Sequence, residues 1–208
     1  MLAIVDYGAG NLQSVQKALD FIGAPAEITA DAAKIRRAAG VVLPGVGAFG
    51  DAMESMRRRD LAELVREAAD GTRPFLGICL GQQLLFASSE ESPGVTGLAA
   101  LPGQVLRIPG GNDASGVPRK VPHMGWNSLH LLHGDGIFAG VPEDAYVYFV
   151  HSFYVKAAEE DCVAARASYG VEMDVAVRKG LLTATQFHPE KSGEVGLLML
   201  RNFWRLCA

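Results

Sequence analysis

The 208-residue sequence lacks the features of membrane, secreted and disulfide-bonded proteins. It has no uninterrupted apolar run of the length that spans a bilayer. Its first residues, Met-Leu-Ala-Ile-Val-Asp, have neither the positive charge nor the apolar length of a secretory signal. The three cysteines, Cys79, Cys162 and Cys207, are widely spaced and odd in number, which argues against a disulfide framework and a zinc site. We therefore expect a cytoplasmic protein that contacts no membrane and holds no metal.

Positive charge is also scarce. The sequence has 19 Lys and Arg against 23 Asp and Glu, a formal net charge of -4. Its one basic cluster, Arg57-Arg58-Arg59, is short enough to be a solvated helix face, so we expect no nucleic-acid partner. Hydrophobic residues make up 49% and charged residues 20% of the chain, a composition that supports a sizeable core. We expect a single domain over residues 1–208.

Strand-like and helix-like segments alternate in the first part of the chain. The pattern predicts strands at 2–6, 26–29, 40–43 and 74–78, and helices at 12–22, 31–38, about 50–69 and 80–87. This alternation implies a parallel sheet with helices on both faces. From about 101 to 187 the segments become short and rich in β-branched and aromatic residues, with strands at 145–150, 171–177 and 181–187, and a hairpin turn at 178–180.

The fold class is therefore α/β, with a central, mostly parallel sheet, flanking helices and a β-rich second half. A final amphipathic helix is expected at about 193–206. The glycine-rich segment 110–116 is expected to be a mobile surface loop.

The segment Gly77-Ile-Cys-Leu-Gly81 joins a predicted buried strand to a predicted helix. In that position Gly-x-Cys-x-Gly is the cysteine version of a nucleophile elbow, whose sharp turn lifts the Cys79 sulfur above the sheet edge. The Leu80 N–H would then face the group that the sulfur attacks. A free thiol titrates at about pH 8.5, so a helix N-terminus and an imidazolium would be needed to hold a thiolate at neutral pH. The alternative is a buried cysteine that acts as a small apolar side chain; the two glycines favour the nucleophile.

A cysteine nucleophile needs a base, and the segment Gln186-Phe-His-Pro-Glu190 offers one. If the backbone is extended there, His188 and Glu190 point to one face. Glu190 could then fix the tautomer of His188 while the other ring nitrogen faces the thiol, as in a Cys-His-Glu triad. His-Pro-Glu alone could be a surface turn. The other histidines, His123, His130, His133 and His151, lie in loops or beside apolar segments and can be explained without a catalytic role.

A third segment, Leu43-Pro-Gly-Val-Gly47, ends another predicted buried strand. Its glycines could expose backbone N–H groups at the same sheet edge as Cys79, where α/β sheets bind ligands. Acyl transfer needs two donors on the developing oxyanion, and Leu80 with Val46 or Gly47 could supply them. The alternative is an ordinary turn that needs glycine for its dihedral angles.

With these segments the sequence resembles the class I glutamine amidotransferases, whose signatures are Pro-Gly-x-Gly, Gly-x-Cys-x-Gly and a late His-Pro-Glu. The resemblance covers essentially the whole chain. Within this class the sequence is similar to the glutaminase subunits of imidazole glycerol phosphate synthase, an enzyme of histidine biosynthesis. The segments that carry this second resemblance are Asp6–Asn11, Gly77–Gln83, Pro122–Asn127, Tyr148–Ser152 and Phe187–Ser192. Among them, Pro-His-Met-Gly-Trp-Asn at 122–127 is the most specific.

The resemblance implies an enzyme that hydrolyses L-glutamine without a cofactor. It implies a triad of Cys79, His188 and Glu190 and an oxyanion turn at Val46 and Gly47. The glutamine-binding positions it implies are Gly47, Gln83, His151, Ser152 and Phe153. The implied partner is a separate (β/α)₈-barrel cyclase, bound one-to-one, that receives ammonia through its interior. The contact positions it implies are Asn11, Met124, Trp126, Tyr148 and Lys191. Two departures from the family pattern are the long 110–116 loop and the side chains of Ser152 and Phe153.

Two other functions share parts of this pattern. A stand-alone cysteine hydrolase of the γ-glutamyl-hydrolase kind would have the same elbow and histidine. Met124 and Trp126, in what reads as a Gly/Pro loop, favour a docking surface instead. A non-catalytic binding module on the same fold is the second alternative, and the complete set of triad residues argues against it. Within the amidotransferases, the alternatives most easily confused with this sequence are anthranilate-type and pyridoxal-phosphate-type subunits.

Overall fold

The computed structural model describes residues 1–8, 10–112 and 116–207. These residues form twelve strands: β1 (Leu2–Val5), β2 (Ala26–Thr29), β3 (Gly40–Gly45), β4 (Phe75–Cys79), β5 (Gly103–Arg107), β6 (His123–Ser128), β7 (His130–Leu131), β8 (Tyr146–His151), β9 (Phe153–Ala157), β10 (Val163–Ser168), β11 (Glu172–Lys179) and β12 (Leu182–Thr185). The α-helices are α1 (Leu12–Phe21), α2 (Ala32–Arg37), α3 (Phe49–Arg58), α4 (Ala62–Ala68), α5 (Leu80–Gln83) and α6 (Gly193–Leu206). Short 3₁₀ helices cover Gly136–Phe138, Glu160–Cys162 and Pro189–Lys191.

Ten strands form one mixed sheet, in which the order β2-β1-β3-β4-β12-β11-β10-β7 runs from edge to edge. Strands β2, β1, β3, β4 and β12 are parallel, and β11, β10 and β7 continue the sheet in antiparallel pairs. Strand β9 joins β5 to β11, also antiparallel. The α/β class and the β-rich second half are therefore confirmed. Strands β6 and β8 pair separately as a two-stranded antiparallel sheet.

The central sheet is buried on both faces because its strands alternate between two cores. In β1, Leu2 and Ile4 pack with residues of α1 and α6, whereas Ala3 and Val5 pack with residues of α2, α3 and α4. This is the two-residue period of a strand covered on both sides. Asp31 begins α2 as predicted, since its carboxylate accepts hydrogen bonds from the backbone N–H groups of Ala33 and Lys34.

The single helix predicted at about 50–69 is wrong, because the chain forms α3 and α4 with a break between them. Asp60 adopts a left-handed backbone with φ of 55°. Its N–H donates to the Arg57 carbonyl, and the Leu61 N–H donates to the Met56 carbonyl. These two bonds form a helix-ending Schellman motif, which normally has glycine at the left-handed position. Because no glycine or proline marks this position, the sequence pattern did not predict the break.

Two further predictions are corrected. The helix predicted at 80–87 has only its first turn, α5, because the Leu84 and Leu85 carbonyls accept hydrogen bonds from the segment 98–101. The predicted Gly/Pro loop that carries Met124 and Trp126 is strand β6, paired with β8. The hairpin turn is confirmed, one to two residues later than predicted, between Lys179 and Leu182.

The predicted surface loop 110–116 includes residues 113–115, which lie outside the described residues. Its described residues are exposed, and its mobility stays a prediction. Across the described ranges, no helix is both long and apolar enough to cross a membrane.

Candidate active site

The site lies where three parallel strands end at one edge of the sheet. Strand β4 lies between β3 and β12, with Gly45 paired to Cys79 and Thr185 paired to Ile78. The Pro44–Gly47 turn therefore leaves the sheet on one side of Cys79, and the chain that carries His188 leaves it on the other. Segments that are far apart in sequence converge because parallel strands end at the same edge.

Cys79 occupies a sharp turn between β4 and α5, with φ of 56° and ψ of -110°. A non-glycine residue rarely adopts positive φ, and such strain is typical of functional sites. Gly81 is required here because a Cβ atom on it would lie 1.9 Å from the Leu43 carbonyl oxygen. A Cβ atom on Gly77 would lie 2.9 Å from the Ala184 Cβ and 3.0 Å from the Gly81 oxygen. Both glycines of the elbow therefore avoid collisions with neighbouring parts of the chain.

The Cys79 sulfur is nearly buried but opens onto a pocket. The residue is 7% exposed. Its Sγ atom lies 4.0 Å from the Val150 carbonyl oxygen and 3.6 Å from the Gln186 Nε2 atom. Cys162 and Cys207 line no part of this pocket.

His188 and Glu190 form a buried pair beside the cysteine. The His188 Nδ1 atom lies 2.7 Å from the Glu190 Oε1 atom, and the two side chains are 2% and 1% exposed. Because a carboxylate only accepts, Nδ1 carries the hydrogen and Nε2 is left to exchange a proton. Nε2 makes no hydrogen bond within the described residues, yet it lies near enough to Cys79 for a thiolate there to attract it. Burial lowers the pKa of His188, but the interactions with the Cys79 thiolate and Glu190 outweigh burial and raise the pKa to about 9.

The backbone between His188 and Glu190 differs from the sequence-based prediction. The extended chain ends before Pro189–Lys191, which is a 3₁₀ helix, so the predicted extended geometry is wrong. The turn still brings the two side chains together. Ser192 holds it in place: its hydroxyl donates to the His188 carbonyl at 2.7 Å and accepts from the Tyr148 N–H at 3.0 Å.

A cavity of about 310 Å³ lies over these groups. It is lined by Val46, Gly47, Cys79, Leu80, Gln83, Glu91, Pro122, Val150, His151, Ser152, Phe153, His188 and Lys191. The structure therefore brings together the predicted nucleophile, base, oxyanion turn and glutamine-binding positions. Lys191, predicted at the partner contact, also lines this cavity. Its size and its few polar groups suit a small polar ligand.

The Phe153 carbonyl connects two of the predicted binding residues. It accepts from Gln83 Nε2 at 3.0 Å and from His151 Nδ1 at 2.8 Å. Gln83 Nε2 also donates to the Gln186 Oε1 atom at 2.9 Å. Since both hydrogens of the Gln83 amide are used, its carbonyl oxygen is the group left for a ligand in the cavity.

His123 and His151 are joined by a buried hydrogen bond of 3.0 Å between His123 Nδ1 and His151 Nε2. Because His151 Nδ1 donates to the Phe153 carbonyl, Nε2 of a neutral His151 is an acceptor, and His123 must donate to it. Burial lowers the pKa of His123 to about 4 and that of His151 to about 3, so both rings are neutral at pH 7. His151 has no free ring nitrogen and is therefore unsuited to act as a base.

The predicted partner-contact residues lie mainly on the outer face of the β6–β8 sheet. Met124 and Trp126 are 63% and 55% exposed. Trp126 pairs with Tyr148 across the sheet, with ring centroids 6.0 Å apart. The Lys191 Nζ atom lies 5.9 Å from the centre of the Tyr148 ring. Asn11 precedes α1, a helix that contacts the 3₁₀ helix of Lys191.

Several residues at or beside the site were not assigned from the sequence. Glu91 lines the cavity, and its Oε2 atom accepts from the Phe49 N–H at the start of α3. Tyr7 donates to the Pro44 carbonyl at 3.1 Å and holds the Gly-rich turn. Further examples are His123, Gln186, Pro122 and Val150. Tyr7, His123 and Gln186 lie within segments singled out in the sequence, but their contacts join distant parts of the chain.

In the described ranges, no group of three or more His, Cys, Asp or Glu side chains is arranged to hold a metal ion.

The fold and this site are those of a class I glutamine amidotransferase. The family model described as glutamine amidotransferase class-I matches residues 3–206. Two solved structures share the fold: PurLQS from Thermotoga maritima, with TM-score 0.72, 20% identity and 98% and 97% of the two chains covered, and the acivicin-bound glutaminase domain of Trypanosoma brucei CTPS, with TM-score 0.62, 17% identity and 98% and 93% covered.

Closer relatives define the family further. Imidazole glycerol phosphate synthase subunit HisH of Moorella thermoacetica is 49% identical over 99% of this chain and 94% of its own length. The same subunit of Methanothermobacter thermautotrophicus is 52% identical, with coverages of 98% and 97%. That of Geobacter metallireducens is 50% identical, with coverages of 97% and 96%. The chain belongs to the HisH family of imidazole glycerol phosphate synthase subunits.

Proposed function

We propose that this chain hydrolyses L-glutamine at Cys79 and passes the ammonia to the cyclase subunit of imidazole glycerol phosphate synthase. The observation that carries the proposal is that Cys79 and His188 line one cavity, with His188 hydrogen-bonded to the buried Glu190. Glu190 fixes His188 so that Nε2 faces the sulfur side of the site. Family membership agrees with nucleophilic catalysis by a cysteine.

In the first half of the reaction, the Cys79 thiolate attacks the side-chain carboxamide carbon of glutamine. The C=O electron pair moves to oxygen and forms a tetrahedral oxyanion. Protonated His188 then gives its Nε2 proton to the amide nitrogen, the C–N bond breaks, and ammonia leaves. The product is a γ-glutamyl thioester on Cys79, with His188 neutral. The raised pKa of His188 keeps the ring protonated at the start of this step.

In the second half, His188 Nε2 takes a proton from a water molecule as the water oxygen attacks the thioester. The second tetrahedral oxyanion collapses, the C–S bond breaks, and Cys79 leaves as a thiolate. The released γ-carboxylic acid loses its proton to become glutamate. Both oxyanions need two hydrogen-bond donors, which we assign to the Leu80 N–H and to the N–H of Val46 or Gly47. Losing one such donor costs roughly 3–4 kcal/mol in comparable sites.

The polar groups of the cavity suit the two ends of glutamine. We assign the free Gln83 carbonyl oxygen to the substrate carboxamide, and the backbone of His151–Phe153 to the α-amino and carboxylate groups. Glu91 is the acidic side chain of the lining, and it supplies a negative charge for the α-ammonium group.

The partner we propose is a (β/α)₈-barrel cyclase, bound one-to-one in the cytoplasm, that makes imidazole glycerol phosphate and aminoimidazole carboxamide ribotide. The contact surface consists of Asn11, Met124, Trp126, Tyr148 and Lys191. Its exposed aromatic and methionine side chains are of the kind that anchor protein interfaces. Residues 1–208 act as one domain in this assembly.

A glutamine analogue with an electrophilic carbon at the carboxamide position tests the proposal. The chain is mixed with its barrel partner, treated with the analogue and mapped by peptide mass spectrometry. We expect one adduct, on Cys79, that excess L-glutamine prevents. Cys162 and Cys207 are internal controls, since neither lines the cavity. An adduct confined to one of these two, or no adduct, would contradict the proposal.

A further inference from the structure

Gln186 is a completely buried polar residue next to the nucleophile, and the mechanism above does not use it. It is 0% exposed and lies just after β12, two residues before His188. Its Nε2 atom is 3.6 Å from Cys79 Sγ, a distance that suits a hydrogen bond to the large sulfur atom. Burying a side-chain amide costs free energy unless the amide is hydrogen-bonded. The burial of Gln186 beside the sulfur therefore calls for an explanation.

The orientation of the Gln186 amide is determined by its neighbours. The Phe153 carbonyl can only accept, so the Gln83 group that faces it is the donor Nε2. The same Nε2 faces Gln186 at 2.9 Å, and Gln186 must therefore present its oxygen there. Its NH₂ group is left to face the sulfur. If the Gln186 amide were flipped, its NH₂ group would face the NH₂ group of Gln83, donor against donor. Its carbonyl oxygen would then face the Cys79 thiolate.

We propose that Gln186 is a further catalytic residue, whose side-chain amide donates a hydrogen bond to the Cys79 thiolate. This role rests on the proposed function of Cys79 as nucleophile. A donor to a thiolate stabilises the charged form more than the neutral thiol. It also stabilises the sulfur when the thiolate leaves in the second half of the reaction. Gln186 is held by Gln83, so the donor is in place before substrate arrives.

The test is the pH profile of alkylation of Cys79 in the full-length chain, followed at the Cys79 peptide by mass spectrometry. Gln186→Met removes the donor and keeps an unbranched side chain of similar length. We expect the midpoint of the profile to rise by about one pH unit, as for the loss of one hydrogen bond to a charged group. Gln186→Glu places a carboxylate beside the sulfur and should raise the midpoint further.

Gln82→Met is the matched control. Gln82 is also 0% exposed, but its Nε2 atom donates to the Asp174 carbonyl at 3.0 Å. This control should lose thermal stability to a similar degree and leave the Cys79 midpoint unchanged. If Gln186→Met and Gln186→Glu lower the melting temperature but leave the midpoint at the wild-type value, Gln186 is only structural and the proposal is overturned.

A measurement on the unmodified chain covers the case in which the variants do not fold. With ¹⁵N-labelled glutamine side chains, the Gln186 amide signals should shift with the same midpoint as Cys79 alkylation, while those of Gln82 stay constant. A Gln186 signal that is indifferent to this titration would overturn the proposal. A failure of the proposed function can be told apart from a failure of this proposal. The first would appear as absent glutaminase activity in the wild-type complex, and the second as an unchanged Cys79 midpoint in the Gln186 variants.

Discussion

The His188 Nδ1 atom and the Glu190 Oε1 atom are 2.7 Å apart, and the two side chains are almost fully buried. An exposed pair of the same type occurs elsewhere in the chain: His130 Nδ1 lies 2.8 Å from Glu143 Oε1, with the side chains 65% and 50% exposed. The contact alone therefore does not define a catalytic pair. What distinguishes His188 is that it is buried and lines the same cavity as Cys79.

This comparison gives the first prediction. His188→Ala should lower glutaminase turnover in the complex by about 10²–10⁴-fold, the usual range for loss of a general base. Glu190→Gln should cost less, because it weakens the orientation of the ring but leaves the base in place. His130→Ala is the matched control and should be silent in steady-state kinetics. Equal, mild losses for His188→Ala and Glu190→Gln would contradict these roles.

The second prediction concerns the elbow glycine. Gly81→Ala should destabilise the chain by about 3 kcal/mol or more, because the new Cβ would lie 1.9 Å from a backbone oxygen. Gly134→Ala is the control, since its Cβ would meet nothing within 4 Å. Denaturant unfolding measures both. Equal stabilities for the two variants would show that the β4–α5 turn is looser than described.

The third prediction concerns acid stability. The pKa values of His123 and His151 in the folded chain, about 4 and about 3, lie below the ordinary value of 6.5. The unfolded chain therefore binds more protons below pH 6.5, and stability should fall as the pH is lowered from 6 to 4.5. Each group contributes at most about 1.4 kcal/mol per pH unit. His188 does not add to this slope, because its raised pKa affects stability between pH 6.5 and about 9, where stability is lost as pH rises.

His123→Gln removes one of the two titrating groups and should make the slope of unfolding free energy against pH shallower. Gln82→Met removes a buried hydrogen bond but no titratable group, so it should leave the slope unchanged. The slope is compared within each variant, so a constant loss of stability does not affect the result. An unchanged slope in His123→Gln would mean that His123 is not held neutral by burial.

The fourth prediction concerns the docking surface. Trp126→Ala should weaken binding of the barrel subunit by 2 kcal/mol or more, on the order of 30-fold, as expected for a central aromatic anchor. Phe21→Ala is the control: Phe21 is 72% exposed but ends α1, away from the strand ends that form the site. Titration calorimetry gives both affinities. Equal affinities for these two variants would place the contact elsewhere on the chain.

The sequence predicted the parts of the site that depend on strand order. Cys79, His188 and Gly47 follow strands that were recognised by their apolar runs, and parallel pairing places the ends of such strands together. It did not predict the break at Asp60, because no glycine or proline marks it. Nor did it predict the pairing of Gln186 with Cys79, 107 residues away, which depends on side-chain packing. The extent of the domain and the roles assigned to individual site residues stay predictions.

The most direct test of the account is Cys79→Ala in the complex with the barrel subunit, with synthesis of imidazole glycerol phosphate measured from glutamine and from free ammonia. We expect the glutamine-dependent reaction to be lost and the ammonia-dependent reaction to be retained, because only the nucleophile is removed. Cys162→Ala and Cys207→Ala should keep both reactions. Glutamine hydrolysis by Cys79→Ala above the background without enzyme would contradict the account.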